Sequence, residues 1–592
     1  MSQKLENLFN LALEASPRER EQSPDLQVGY EASDDSWELI VKYHGDLGRR
    51  LSELPGGERI VLEELISGYA ILTLPVELIQ TVAAWEETEY IEMPKSLYFS
   101  IEQGKEASCI PEVAIRPPYL HGAGVLIAVI DSGIDIFRED FRNQDGGTRI
   151  LRLWDQSMQP DPVRGLLPPV GFAGGVELDQ EEIDRILAGE TEEAGGEIPG
   201  RDISGHGTAV TAIAAGNGGA SGSRYAGVAP ESGLIIVKLG KPGADSFPRT
   251  TQLMRAMTYV IRNALELKQP VAVNLSFGNT YGSHDGTSLL ERFLDQVSEI
   301  GRSVICVGSG NEGASGGHAS GRAAQRVWTE LSVASYEKNL NVQLWKEYGD
   351  EFRLTLTAPG GEQQVIDTGR PGTLRLTMGQ TQLLIYVGEP SPYSMNQEIY
   401  FDLIPLEDYV DAGVWTFQLD PVRIISGRYY FYLPGSTVRN SGTRFFQSEP
   451  EVTYTIPSTA ARVITVGAYD SVYDAYADFS GRGVVLSGAS EDLVYQELVK
   501  PDLAAPGVNI RISDSRGGIQ SVTGTSFATP FVTGAAALLM EWGIVRGKDP
   551  YLYGEKVRAY LRRGARPLRG EAEYPNNRVG WGALCLENSL PE

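Results

Sequence analysis

Three side chains in this sequence could together break an amide bond: Asp131, His206 and Ser526. A serine hydroxyl becomes a strong nucleophile only when a base removes its proton. Imidazole is the side chain best suited to that task near neutral pH. A carboxylate behind the imidazole orients it and stabilises the cation that forms. Asp131 closes the apolar run Val125–Ile130 and opens Asp131-Ser132-Gly133-Ile134-Asp135. His206 sits in Ser204-Gly205-His206-Gly207-Thr208, and of the five histidines it alone has glycine on both sides, which leaves its ring approachable. Ser526 lies in Gly524-Thr525-Ser526-Phe527-Ala528-Thr529-Pro530, at the head of an Ala/Leu-rich stretch that ends at Trp542. That stretch is expected to be a helix capped by Thr525 or Ser526, with Pro530 near the first turn, where a missing N–H costs least. A serine there sits at the positive end of the helix dipole. A fourth element, Gly308-Ser309-Gly310-Asn311-Glu312-Gly313, follows the apolar run Val304–Val307. Its asparagine amide could donate to an oxyanion. Taken singly, each is more simply a turn, an N-cap or a structural histidine.

The elements that must position these groups alternate in type. Val125–Ile130, Leu234–Val237, Val271–Leu275 and Val304–Val307 are continuous apolar runs, as expected of parallel strands buried on both faces. Thr208–Ala215, Thr251–Leu267 and Ser288–Glu299 are helix candidates between them. The pattern predicts an α/β fold with a doubly wound, mostly parallel sheet, whose ligands bind beyond the carboxyl ends of the strands. Gln156–Arg201 reads as a mostly solvated insertion. Residues 341–453 alternate apolar and polar, as in Phe352–Leu356, Leu374–Met378 and Trp415–Leu419, and predict an inserted β-sandwich or jelly-roll domain. Residues 1–100 read as a separate α+β unit with a helix over Met1–Glu14 and a last strand at Tyr90–Glu92. The expected division is therefore 1–100, 101–340, 341–453 and 454–592.

The formal net charge is -27, which argues against nucleic acid and anionic membrane surfaces as partners. Residues 1–100 are themselves acidic, so that unit can dock on the rest only through shape and apolar surface. Three cysteines, Cys109, Cys306 and Cys585, are too few and too odd a set for a disulfide framework or a zinc site. Cys306 is expected in the core. The first twenty residues lack a basic start followed by an apolar core, so no signal peptide is expected, nor an apolar run long enough to span a membrane. An intracellular or internally packaged protein follows as an expectation, with an unusual export route left open. No cofactor is called for. Calcium is conceivable, but Asn217–Ser223 offers no clear carboxylate set.

Together, the four elements in the order Asp, His, Asn, Ser resemble the subtilases, the subtilisin-like serine proteases, whose chain order this is. The resemblance covers roughly Gly122–Leu340 and Thr453–Leu590. It includes Asn274-Leu275-Ser276-Phe277-Gly278 and Lys500-Pro501-Asp502-Leu503-Ala504-Ala505-Pro506-Gly507. It implies that Asp131 orients His206, that His206 is general base and acid, and that Ser526 attacks the carbonyl. Asn311 and the Ser526 N–H would form the oxyanion hole. Ser276, Phe277 and Gly278, with Gly308, Ser309 and Gly310, would line the S1 pocket and pair with an extended protein or peptide substrate. The chain departs from compact subtilases at Ala209 and Phe531, where those have histidine; neither position is catalytic.

Residues 1–100 resemble a subtilase prosegment, an inhibitor and chaperone that would be cut from the enzyme by the enzyme itself and stay in its cleft. With the β insertion, they resemble the clostridial Csp proteases, which implies activation of a spore cortex-lytic enzyme precursor during germination. A monomer is expected. The competing readings are a non-catalytic pseudoprotease scaffold, which a fluorophosphonate probe would leave unlabelled, and a carbohydrate-binding role for the insertion through aromatics such as Trp415.

Overall fold

A computed structural model describes residues 3–23, 25–55, 59–95, 98–99, 106–190, 198–222, 225–240, 248–483, 499–513 and 519–591. These residues form two compact units: Met1–Ser96, Asn279–Arg292 and Glu312–Ile456 in one, and Leu97–Gly278, Phe293–Asn311 and Pro457–Glu592 in the other.

The second unit is built on a nine-stranded sheet. Leu126–Asp131 lies at its centre, flanked in parallel by Gly233–Lys238 and Val271–Leu275. Ser303–Gly308, Ile464–Asp470 and Leu503–Pro506 continue in parallel on one side, and Ile150–Asp155 on the other. The outermost strands, Ala475–Tyr476 and Val176–Asp179, run antiparallel. All six residues of Leu126–Asp131 are buried, as continuous apolar runs require. Ile127 and Val129 share one core cluster with the helices His206–Ala215 and Thr525–Met540. Leu126, Ala128 and Ile130 are as deeply buried on the opposite face, because a strand alternates its side chains.

Several expectations are corrected in this unit. The described residues of Gln156–Arg201 are mostly exposed or half-buried, as expected, but the stretch also holds regular elements. It carries the strand Val176–Asp179 and the helix Gln180–Leu187, whose Ile183 is buried. Its Glu-rich composition hides two apolar residues, Val176 and Leu178, that face the core. Two of the three cysteines do pair: Cys109 and Cys585 form a disulfide across 476 residues of sequence, while Cys306 is free and buried. No local spacing could signal that bond, because folding alone brings the short helix Ile110–Ile115 to Leu586–Ser589. Burial pushes the Cys306 thiol up to about 12, so it is inert. Finally, Thr525–Val545 is a helix long and apolar enough to cross a membrane by length and composition. Of its most apolar 18-residue stretch, 83% is buried inside the protein, as in a core helix.

The first unit has two parts. In one, Ser36–Tyr43 pairs with Tyr30–Glu31, Tyr69–Pro75 and Thr88–Glu92, and Val61–Glu64 pairs with Tyr69–Pro75, all antiparallel. Helices Asn7–Glu14 and Val76–Ala83 belong to the same part. The first helix starts later than expected, because residues 4–6 are extended: Glu6 N–H donates to Ile91 O and Ile91 N–H to Lys4 O. In the other part, antiparallel sheets of six and five strands span His318–Phe445. Leu344, Ile385, Phe401 and Phe431 from one sheet share a core with Leu331, Leu354, Trp415 and Phe417 from the other. Trp415 is therefore spent on packing, which removes the feature that suggested glycan binding.

Apolar surface joins the two parts, as the shared negative charge requires. Leu384, Tyr386, Tyr400 and Ile404 lie in one cluster with Leu8, Phe9 and Trp37. Polar contacts frame it: Glu19 accepts from Arg375 (3.1 Å) and Gln382 (2.8 Å), and Asn7 donates to Glu389 O (2.9 Å).

This unit also buries two histidines. The Tyr432 ring is stacked between His284 (4.0 Å) and His318 (4.6 Å). Burial pushes the imidazoles down to about 4 and about 3, against the pull of the Thr280 and Glu449 carbonyls and of Asp285. Both rings are thus neutral when folded, whereas the unfolded chain protonates them below about 6.5. Their contribution to stability is complete above that value and is lost as pH falls toward 4 and 3, at roughly 1.4 kcal/mol per pH unit per ring. Thermal melts from pH 7.5 to 4.5 should show a steeper acid decline in wild type than in His284→Phe/His318→Phe. Parallel declines would refute the assignment.

Candidate active site

Strand ends and helix starts bring the predicted residues to one edge of the nine-stranded sheet. Asp131 is the last residue of its strand, and His206 is the first of the helix His206–Ala215. His206 Nδ1 lies 2.7 Å from Asp131 Oδ1, and both side chains are almost fully buried. A carboxylate can only accept, so Nδ1 carries the proton and Nε2 is left as a base. Asp131 Oδ1 also accepts from Ser132 N–H at 2.7 Å. The approach is close enough to require glycine at position 207, where a Cβ would meet Gly133 O at 2.3 Å. The Phe527 ring packs edge-on against the imidazole at 5.1 Å.

Ser526 is the second residue of the helix Thr525–Met540. Pro530 lies deeper in that helix than the first turn. Its missing N–H frees the Ser526 carbonyl, which in a regular helix would accept from residue 530. Ser276 Oγ donates to that carbonyl at 2.7 Å, and Ser526 Oγ donates to Ser276 O at 2.8 Å. This reciprocal pair is itself held from behind. Asn274 Nδ2 donates to Ser276 Oγ at 2.8 Å, and Thr533 Oγ donates to Asn274 Oδ1 at 3.0 Å. Ser276, read from sequence as a pocket wall, therefore fixes the backbone of Ser526.

Asn311 follows the strand Ser303–Gly308. Its Oδ1 accepts from Thr525 N–H (3.0 Å) and Thr525 Oγ (3.2 Å). With the oxygen so engaged, Nδ2 is the group left to donate. Gly308 packs against the same helix, since a Cβ there would meet Thr529 Oγ at 3.0 Å. Gly310 N–H donates to Thr525 Oγ (3.2 Å), and Ser309 contacts Ser480 Oγ (3.3 Å). Phe277–Gly278 is a short strand paired antiparallel with Tyr98–Phe99. The chain's own extended segment thus occupies the edge read from sequence as a substrate strand. Among the described residues, no group of three or more His, Cys, Asp or Glu side chains could hold a metal ion.

Sequence reasoning missed Asp202, Ser132 and Thr525 as members of this site. Asp202 carried a signal, a carboxylate just ahead of a helix start, the usual place for an N-cap. Thr525 reads from sequence only as a helix-cap candidate; Gly524 takes the cap position instead, and the contacts of Thr525 come from a loop more than two hundred residues away.

Comparison with known proteins gives two matches to family models. The Subtilase family model matches residues 122–391 and 438–582. The model described as Csp protease B prodomain matches residues 3–95. A solved structure, the CspB protease of Clostridium perfringens, is 32% identical with a TM-score of 0.73, covering 82% of this chain and 96% of that one. The minor extracellular protease Vpr of Bacillus subtilis is 22% identical over 563 residues, 89% of this chain and 60% of its own length. The serine protease AprX of the same organism is 35% identical over 156 residues, 23% of this chain and 31% of its own. The chain thus spans less than two thirds of either curated relative.

Proposed function

The chain belongs to the subtilase family and carries a Csp-type prodomain, and from that premise we propose that it is an active serine endopeptidase. The observation that carries this reading is the 2.7 Å contact between His206 Nδ1 and Asp131 Oδ1, which leaves Nε2 free of the proton. In the proposed reaction, His206 Nε2 takes the Ser526 proton as Oγ attacks the substrate carbonyl. The negative charge that develops on the carbonyl oxygen is met by Asn311 Nδ2 and the Ser526 N–H, a first-turn donor with no partner inside the helix. His206 then gives its proton to the departing amine. Water attacks the acyl-enzyme by the same route, giving up a proton to His206 and restoring Ser526. Asp131 keeps its charge throughout and stabilises the imidazolium.

The substrate is an extended polypeptide that pairs with Ser276–Gly278. The pairing of Tyr98–Phe99 with Phe277–Gly278 supports this, because a strand edge recognises any peptide backbone. Residues 3–95 act as the prosegment, and the chain removes it by its own activity. The physiological substrate we propose is the precursor of a spore cortex-lytic enzyme, supported by the likeness to the CspB protease. Purified wild type should hydrolyse a denatured test protein and lose that activity on fluorophosphonate treatment. Hydrolysis that survives the treatment would overturn the serine mechanism. No hydrolysis at all would favour a pseudoprotease.

A further inference from the structure

Asp202 accepts five hydrogen bonds at the candidate site. Its Oδ1 accepts from Ser132 Oγ (2.9 Å), Ser204 Oγ (3.1 Å) and Gly205 N–H (2.9 Å). Its Oδ2 accepts from Thr208 N–H (2.8 Å) and Thr208 Oγ (2.7 Å). The groups around it extend the network to both catalytic elements. Ser132, next to Asp131, accepts from Gly207 N–H at 3.0 Å, and its hydroxyl lies 2.8 Å from Ser204 Oγ. Ser204 Oγ accepts from His206 N–H at 3.1 Å, and Thr208 Oγ accepts from Asp135 N–H at 3.0 Å.

The first N–H groups of a helix have no acceptor within it. Here those of His206, Gly207 and Thr208 all end on Asp202 or on a hydroxyl bonded to it. The turn that begins with Asp131 is tied to the same carboxylate through Ser132. One half-buried side chain therefore fixes the helix start that carries His206 against the strand end that carries Asp131. We infer that Asp202 is the positioning residue of the Asp131–His206 pair, an inference that rests on the peptidase reading above.

Asparagine cannot replace it. Asn has one acceptor oxygen, and its NH₂ would face either the Thr208 donors or the Ser132 and Gly205 donors. A catalytic pair misplaced by about 1 Å can lose on the order of 10²-fold in rate. Asp202→Asn should therefore lower kcat by about 10- to 100-fold with little change in KM. Losing a nearby negative charge and loosening the Asp131 contact both disfavour imidazolium. The acid limb of the kcat/KM profile should then move to lower pH by about half a unit. Ser132→Ala keeps the carboxylate and removes one link, so it should fold readily and lose less activity.

The test measures kcat, KM and the acid limb for wild type, Asp202→Asn and Ser132→Ala, with the fraction folded determined by circular dichroism. It adds the low-field proton resonance of His206 Nδ1–H, which reports the contact with Asp131 without any turnover. A lower kcat, a shifted acid limb and a weakened resonance in folded Asp202→Asn are expected. Wild-type values for all three would overturn the inference, as would activity lost only in proportion to the folded fraction. Should Asp202→Asn not fold, Ser132→Ala with a wild-type kcat and resonance would overturn it. If wild type shows no turnover, the peptidase reading fails, and the resonance still decides the role of Asp202.

Discussion

Ser526→Ala will run as one full-length chain, while purified wild type will separate under denaturing conditions into a fragment of about 100 residues and its remainder. The cut should fall between about Pro94 and Lys105. Of that stretch, Ser96, Leu97 and residues 100–105 lie outside the described residues. Tyr98–Phe99, within that stretch, already pairs as a short strand with Phe277–Gly278, the edge proposed to bind substrate. Such a cut is effectively unimolecular, because the translational and rotational entropy of bringing substrate to enzyme has already been lost in folding. It should therefore be complete at any protein concentration. Wild type that hydrolyses peptides yet stays intact would remove the prosegment assignment. A Ser526→Ala protein cut at the same bond, in a host free of other proteases, would mean that another nucleophile makes the cut.

Asn311→Ala should lower kcat by about 10²- to 10³-fold and leave KM nearly unchanged, a magnitude carried over from the corresponding asparagine of subtilisin rather than derived from this geometry. The reason for a kcat effect is specific to the contacts here. Asn311 Oδ1 is occupied by Thr525, so only Nδ2 is left for a substrate oxygen, and its hydrogen bond strengthens as that oxygen becomes negative. Alanine would also leave Thr525 N–H without its acceptor at the head of the helix that carries Ser526. The two effects separate in a second measurement. Asn311→Asp keeps an acceptor for Thr525 but cannot donate when ionised. A low kcat in both variants, with unchanged melting temperature in Asn311→Asp, is the expected pattern. An unchanged kcat in either would take Asn311 out of the oxyanion hole.

Much of this architecture is legible in local pattern. The runs Val125–Ile130 and Val304–Val307 announce buried parallel strands because no polar residue interrupts them, and both sit in the central sheet as expected. Alternation over Trp415–Leu419 announces a half-buried strand for the same kind of reason. What escapes is whatever depends on a distant partner. The Cys109–Cys585 bond joins residues 476 apart in sequence. Val176–Asp179 is a strand because Ile150–Asp155 offers it an edge, despite its acidic surroundings. Within the site, glycine-flanked His206 and the helix-opening Ser526 stand out by their own neighbours. Asp202 and the Ser276–Ser526 pair do not, since they matter only once the helix starts are brought against the strand ends.

In the proposed reaction Ser526 is a nucleophile activated by His206. The most direct test is to treat native wild type with a fluorophosphonate and locate the adduct by peptide mass mapping. One adduct is expected, on Ser526, at a rate that rises as His206 loses its proton, with none in His206→Ala or in heat-unfolded protein. An adduct on a different serine, or an equal rate in His206→Ala, would contradict it.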